Sequence, residues 1–307
     1  MKRKIVKQGI NALTLTIPAA WVQKNNLHPG DEVDVIEADN SLMISTEGKQ
    51  QLKEITVNVS GLIPRLADRF MARAYQKGYD KITIRFDEPE LMLAVKNKVP
   101  ELMGFEILDA SKDRVDVQMI ASQLDLDFNT LLRRGFLILL DMAQTCQDAW
   151  KKGDKKALEN IFNQDFDVNR FLYFCLRELN KSPKMMTFGR SILYYLIESL
   201  EDLGDELKVL GKILAQTALD RDILSLIEKM GVMFRMSYEF FYNPEKGKAV
   251  QAYKMYLDIK SRLDELLGTK NKLLTKALIS IEFSVRIIYH LTTMRLDTLK
   301  ELGGNSA

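Results

Sequence analysis

Four carboxylates lie three and four residues apart in one helical stretch: Glu198, Glu201, Asp202 and Asp205. That spacing sets them on a single helix face, and oxygen donors gathered in this way could bind a hard or borderline cation. The same four acids could equally form an ordinary solvated face. A second group is basic: Lys2, Arg3, Lys4, Lys7 and Lys24. Residues 1–24 carry these five cations and no acid, whereas residues 25–48 carry six acids and no Lys or Arg. Cations placed this way on one strand could contact nucleic-acid phosphates, or they could simply be the solvated edge of a sheet.

Other chemistry is thinly represented. His28 in Leu27-His28-Pro29 reads as an exposed loop histidine, and His290 as a histidine satisfied within a bundle. Cys146 and Cys175 are far apart and fit no metal or redox spacing, so both read as reduced core thiols. Two histidines and no paired cysteine give no support for a zinc site or an activated nucleophile, and no enzyme is expected.

The total charge over 307 residues is only +2, so nucleic-acid binding would have to rest on local charge. Apolar runs such as Phe136 to Leu140 are far too short to span a bilayer. The start MKRKIVKQG has no apolar signal core. The expectation is a cytoplasmic protein without membrane insertion.

The elements that must hold these residues fall into three segments of an α+β chain: 1–48, 52–121 and 122–307. In the first, Leu13, Leu15 and Ile17 alternate with Thr14 and Thr16, the period of a half-buried strand that Pro18 stops. Ala19 to Lys24 suits a short helix, and Pro29-Gly30-Asp31 a turn. Val33 and Val35, then Leu42 and Ile44, suit a hairpin turning at Asp39-Asn40. So small a unit without cysteines buries little of itself and calls for a partner chain.

Residues 52–121 read as an α/β domain of unknown role. Strands are expected at 55–59, 81–86, 105–108 and 115–120, and helices at 62–78 and 89–102, with Leu66, Phe70 and Ala74 on one helix face. From residue 122 onward everything reads as helix: 124–152, 155–181, 187–218, 221–242, 246–268 and 270–302. The breaks fall at Gly153-Asp154, Ser182-Pro183, Asn243-Pro244 and Gly268.

The third helix repeats leucine every three or four residues from Leu193 to Leu214, the seam of a packed bundle. Gly204 and Gly211 flank that seam and would admit a close neighbour. Leu193, Leu196, Leu200, Leu207 and Leu210 recur 81 residues later as Leu274, Ala277, Ile281, Ile288 and Leu291. The helices thus divide into two three-helix units, about 122–219 and 220–307.

Two resemblances add to this reading. Gly9, Thr14 to Pro18, Leu27, Pro29-Gly30-Asp31, Val33-Val35 and Leu42-Ile44 resemble the AbrB or SpoVT-type swapped-hairpin DNA-binding domain. The resemblance implies an interlocked homodimer gripping duplex DNA through Lys2, Arg3, Lys4, Lys7 and Lys24. Positions that often carry arginines in that family hold Ala20, Trp21, Val22 and Gln23, which leaves base readout open. Leu200-Glu201-Asp202-Leu203-Gly204-Asp205 resembles the third-helix motif of the PhoU family of phosphate-uptake regulators, built as paired three-helix bundles.

The PhoU resemblance implies a metal ion or multinuclear iron cluster at Glu198, Glu201, Asp202 and Asp205. In the second repeat Arg286 replaces the aspartate, so a salt bridge from Glu282 to Arg286 is expected there instead. Together the two resemblances imply a dimeric, DNA-binding regulator of phosphate uptake, or an adaptor that acts on phosphate transporter subunits without binding DNA.

Overall fold

A computed structural model describes residues 2–38, 41–46, 52–120, 127–181, 189–268, 271–297 and 299. The chain divides into two compact units, Met1–Gln51 (the head) and Leu52–Ala307 (the body).

In the head, β1 (Ile5–Gln8) pairs antiparallel with β2 (Ala12–Leu15). Gly9 makes that turn possible, because its φ of 73° lies in the left-handed region that L side chains resist. Pro18 starts α1 (Ala19–Lys24) with its fixed φ. The turn after it is closed by His28 N–H donating to the Asp31 carboxylate at 2.7 Å. A second antiparallel pair, β3 (Asp34–Ala38) with β4 (Ser41–Ser45), follows; the Asp39-Asn40 tip expected between them lies outside the described residues. The two pairs form separate two-stranded sheets.

The body opens with a four-stranded sheet of β5 (Glu54–Asn58), β6 (Lys81–Arg85), β7 (Phe105–Ala110) and β8 (Arg114–Met119), in the order β5-β6-β8-β7. The first pair is parallel and the others antiparallel. The parallel pair needs a crossover, and α2 (Pro64–Gln76) provides it. A further helix, α3 (Pro89–Lys98), packs beside α2. Alternate residues Ile82, Ile84, Val115 and Val117 are fully buried.

Of the three residues placed on one α2 face, Ala74 is buried and the two large ones are not. Leu66 and Phe70 are about half exposed, while Ala67, Met71 and Tyr75 are buried. Ala67, Ala72 and Ala74 are small enough to let this helix press close to its neighbours, with Met71 and Tyr75 filling the buried side.

Six helices follow: α4 (Phe128–Lys152), α5 (Lys155–Lys181), α6 (Arg190–Leu214), α7 (Arg221–Tyr242), α8 (Lys246–Leu266) and α9 (Lys272–Asp297). Helices α4 to α6 pack as one bundle and α7 to α9 as another, joined through α6 with α9 and α4 with α7. The chain is therefore α+β, with two three-helix units in its body. Asp127 and Asp220 cap the first turns of α4 and α7 by accepting backbone N–H bonds. Gly153 ends α4 in the left-handed conformation. The expected Ser182-Pro183 break, the 47–51 boundary and the outermost ends at 124–126, 187–188, 270 and 300–302 lie outside the described residues.

The leucine seam is core from Leu196 to Leu214. A Cβ on Gly211 would sit 2.8 Å from Ile161 Cδ1 and 3.0 Å from the Leu158 carbonyl oxygen, so glycine is what lets α5 approach α6. Phe240 is buried and Phe136 packs among Phe234, Tyr238, Phe241 and Tyr242. Cys146 and Cys175 are buried and free, and burial raises the Cys146 thiol to about 12. No helix among the described residues is long and apolar enough to cross a membrane.

The sheet layer and the bundle are one unit, although the sequence separates them at 121/122. Arg177 of α5 is 1% exposed and lies across the junction. It donates to the Tyr75 and Tyr79 carbonyls and to the Asp80 carboxylate, and its guanidinium covers the rings of Tyr75 and Phe105. Lys181 reaches the same Asp80 at 2.6 Å. A charge this deep is tolerable only with such complete pairing.

Candidate functional site

Among the described residues of the head, none is buried. Lys2, Arg3, Lys4, Lys7 and Lys24 are all exposed. Four of them lie in or just before β1, and Lys24 closes α1. Register places Lys7 opposite Leu13 and Ile5 opposite Leu15, so basic and apolar side chains share one face of this hairpin. Leu13 is 70% exposed, and Ile5, Val6, Leu15, Val35 and Leu42 are also open. Ile17, Val22, Leu27 and Val33 line an apolar hollow of about 270 Å³. Half-buried Trp21 lies in α1 beside it.

The acidic residues of α6 are spread over different partners. Glu198 takes a two-pronged hydrogen bond from Arg73 of α2, with Nη2 to Oε2 at 2.6 Å. This arrangement raises the guanidinium pKa, the hydrogen bond outweighing the desolvation that opposes it. Glu201 is only 7% exposed, and its Oε1 accepts from Arg69 Nη1 at 3.1 Å and from the Tyr173 hydroxyl at 3.2 Å. Asp205 accepts from Lys208, one turn along the same helix. Asp202 is exposed, and its carboxyl pKa is raised by desolvation and then by the charges of Glu201, Glu198 and Asp205.

Two of the four acids, Glu201 and Asp205, meet in a cavity of about 260 Å³ between α2, α3, α5 and α6; Glu198 and Asp202 lie outside its lining. Residues not anticipated from sequence complete it: Arg65, Arg69, Lys98, Asp165, Asn169 and Lys208. Lys208 Nζ donates to Asp165 Oδ2 at 2.5 Å. Burial pushes the Asp165 carboxyl up to about 6 even beside that ammonium. The helical spacing was visible in both sets: Arg65, Arg69 and Arg73 are four apart on α2, as are Asp165, Asn169 and Tyr173 on α5.

The resemblance of the third-helix motif implies a metal here, and in this structure three of the four candidate donors, Glu198, Glu201 and Asp205, are engaged by cationic side chains instead. No group of three or more metal-ligating side chains occurs among the described residues. The second repeat also departs from expectation, because Arg286 lies over the Phe283 ring at 5.3 Å rather than against Glu282.

Residues 6–51 match the model of a known family, the antidote-toxin recognition protein MazE, a bacterial antitoxin. The head is MazE-like. That match falls on the residues that carry the swapped-hairpin resemblance, and the MazE-like head stops where the body begins. No curated protein matches the chain. Among solved structures the chain is similar to the phosphate transport system regulatory protein PhoU from Streptococcus pneumoniae. That likeness has 15% identity and a TM-score of 0.44, over 59% of this chain and 100% of that one.

Proposed function

We propose that this protein is a dimeric, non-catalytic cytoplasmic regulator. Its head pairs with the head of a second copy and binds duplex DNA through phosphate contacts, and its helical body controls phosphate uptake. One observation carries the dimer: a MazE-like module of this size leaves every described residue unburied. Burying apolar surface is worth about 25 cal/mol per Å². A head with Ile5, Leu13, Leu15, Val35 and Leu42 in water forgoes that energy until another chain covers them. The DNA contact is supported by the exposure of all five basic residues, which a dimer doubles. The phosphate assignment is supported by the Leu200–Asp205 motif.

A mobility-shift series with increasing salt tests the DNA contact. Each phosphate neutralised contributes about 0.9 to the slope of log affinity against log salt. Replacing Lys2, Arg3, Lys4 and Lys7 with Glu should remove measurable binding, with the dimer intact. Undetectable binding by the unaltered protein at low salt, or binding indifferent to those changes, would refute the contact. Retention of phosphate transporter subunits by a protein that holds no DNA would favour the adaptor reading instead.

A further inference from the structure

We propose that Lys208 is a built-in cation, occupying the place between α5 and α6 where a metal ion would otherwise bridge carboxylates. Its ammonium donates to Asp165 on one helix and to Asp205 on the other, so one side chain does the bridging a divalent ion would do. Arg69 discharges Glu201 beside it. Asp165 is 4% exposed, too deep for water to compensate an unpaired carboxylate, so its ionised form calls for a cation at hand.

The backbone is shaped to admit this arrangement. A Cβ on Gly204 would lie 3.1 Å from Asp165 Oδ1, close enough that the carboxylate would have to give way by a few tenths of an ångström. Glycine at 204 thus lets the carboxylate lie against α6 within reach of Lys208. Asp165 Oδ1 and the neighbouring Asn169 Oδ1 have no hydrogen-bond partner, and Asn169 is 8% exposed. Two orphaned acceptors one turn apart in a polar cavity would serve an added cation once the ammonium is gone. Lysine offers three N–H donors, and only two have protein partners here.

Manganese titration of the full-length protein, read by calorimetry and by thermal melting with and without chelator, tests the assignment. The unaltered protein should bind no Mn²⁺ saturably, and its melting temperature should not respond to Mn²⁺ or to chelator. Lys208→Ala should melt lower and take up one Mn²⁺ per chain, which restores part of the lost melting temperature. Should Lys208→Ala fail to fold, Lys208→Gln, which nearly keeps the volume and removes the charge, carries the same comparison. Stoichiometric, chelatable metal on the unaltered protein, lost in Glu201→Ala and Asp205→Ala, would overturn the proposal. So would a folded, neutral variant at 208 that still binds no Mn²⁺.

Discussion

Head and body hold similar kinds of residue and satisfy them differently. In the head, Leu13, Leu15, Val35 and Leu42 stand in water and the two strand pairs remain separate. In the body, leucines such as Leu200, Leu203 and Leu210 are fully buried, and charges are buried with them: Arg177, Asp80, Asp165 and Glu201. The body has enough helices to surround each group, whereas the head has four short strands and a six-residue helix. Size is the difference: a unit of about 50 residues encloses too little apolar surface alone, and a unit five times longer can also afford internal ion pairs. The head's stability should therefore depend on protein concentration, and the body's should not.

The largest expected effect tests the body side of that contrast. Asp80→Ala would leave Arg177 buried without its carboxylate and should destabilise the body by about 3–5 kcal/mol. Urea unfolding followed by far-UV circular dichroism, which the helices dominate, measures it; a loss near zero would mean that water reaches the guanidinium. Next comes Gly211→Ala. The added methyl meets the Leu158 carbonyl, backbone that cannot swing aside, and should cost about 1–3 kcal/mol. The same substitution at Gly231, where nothing lies within 4 Å of the added Cβ, is the control and should be neutral or slightly stabilising.

A smaller effect follows from pH. Burial alone would raise the Asp80 carboxyl, but the bonds from Lys181 and the Lys53 N–H, with the charges of Lys181 and Arg177, outweigh it and hold it below the ordinary range. A depressed folded value means a stabilising contribution that is whole above the unfolded pKa of about 4 and is lost as pH falls through the folded value. Denaturation midpoints between about pH 2 and 6 should show that loss in the unaltered protein, and Asp80→Asn should flatten it.

Much of this architecture is legible in the chain. Helix limits follow from Gly153, Asn243-Pro244 and the apolar periodicity, and Gly204 and Gly211 announce the close approach of α5 to α6. The head's length and lack of cysteine raise the expectation of a partner, and the structure leaves its described residues unburied. What stays hidden is tertiary. Residues 52–121 show no chemistry of their own, yet their α2 arginines answer the acids of α6 from more than 100 positions away. The acidic row reads as a free face only until that helix is packed on it. On α2 itself Leu66 and Phe70 stay half exposed, because the helix turns Ala67, Met71 and Tyr75 inward. In the second repeat, Arg286 finds the Phe283 ring three positions back instead of Glu282.

The smallest expected change in the body is also the largest in the head. Replacing Leu13 and Leu15 with Asp should leave the helical melt within about 0.5 kcal/mol of the unaltered protein, as surface substitutions do. Sedimentation equilibrium of this variant beside the unaltered full-length chain tests the central claim most directly. The account predicts twice the 35.3 kDa chain mass for the unaltered protein and a single chain mass for the variant. A monomeric unaltered protein at micromolar concentration, or a variant that keeps the doubled mass, would contradict it.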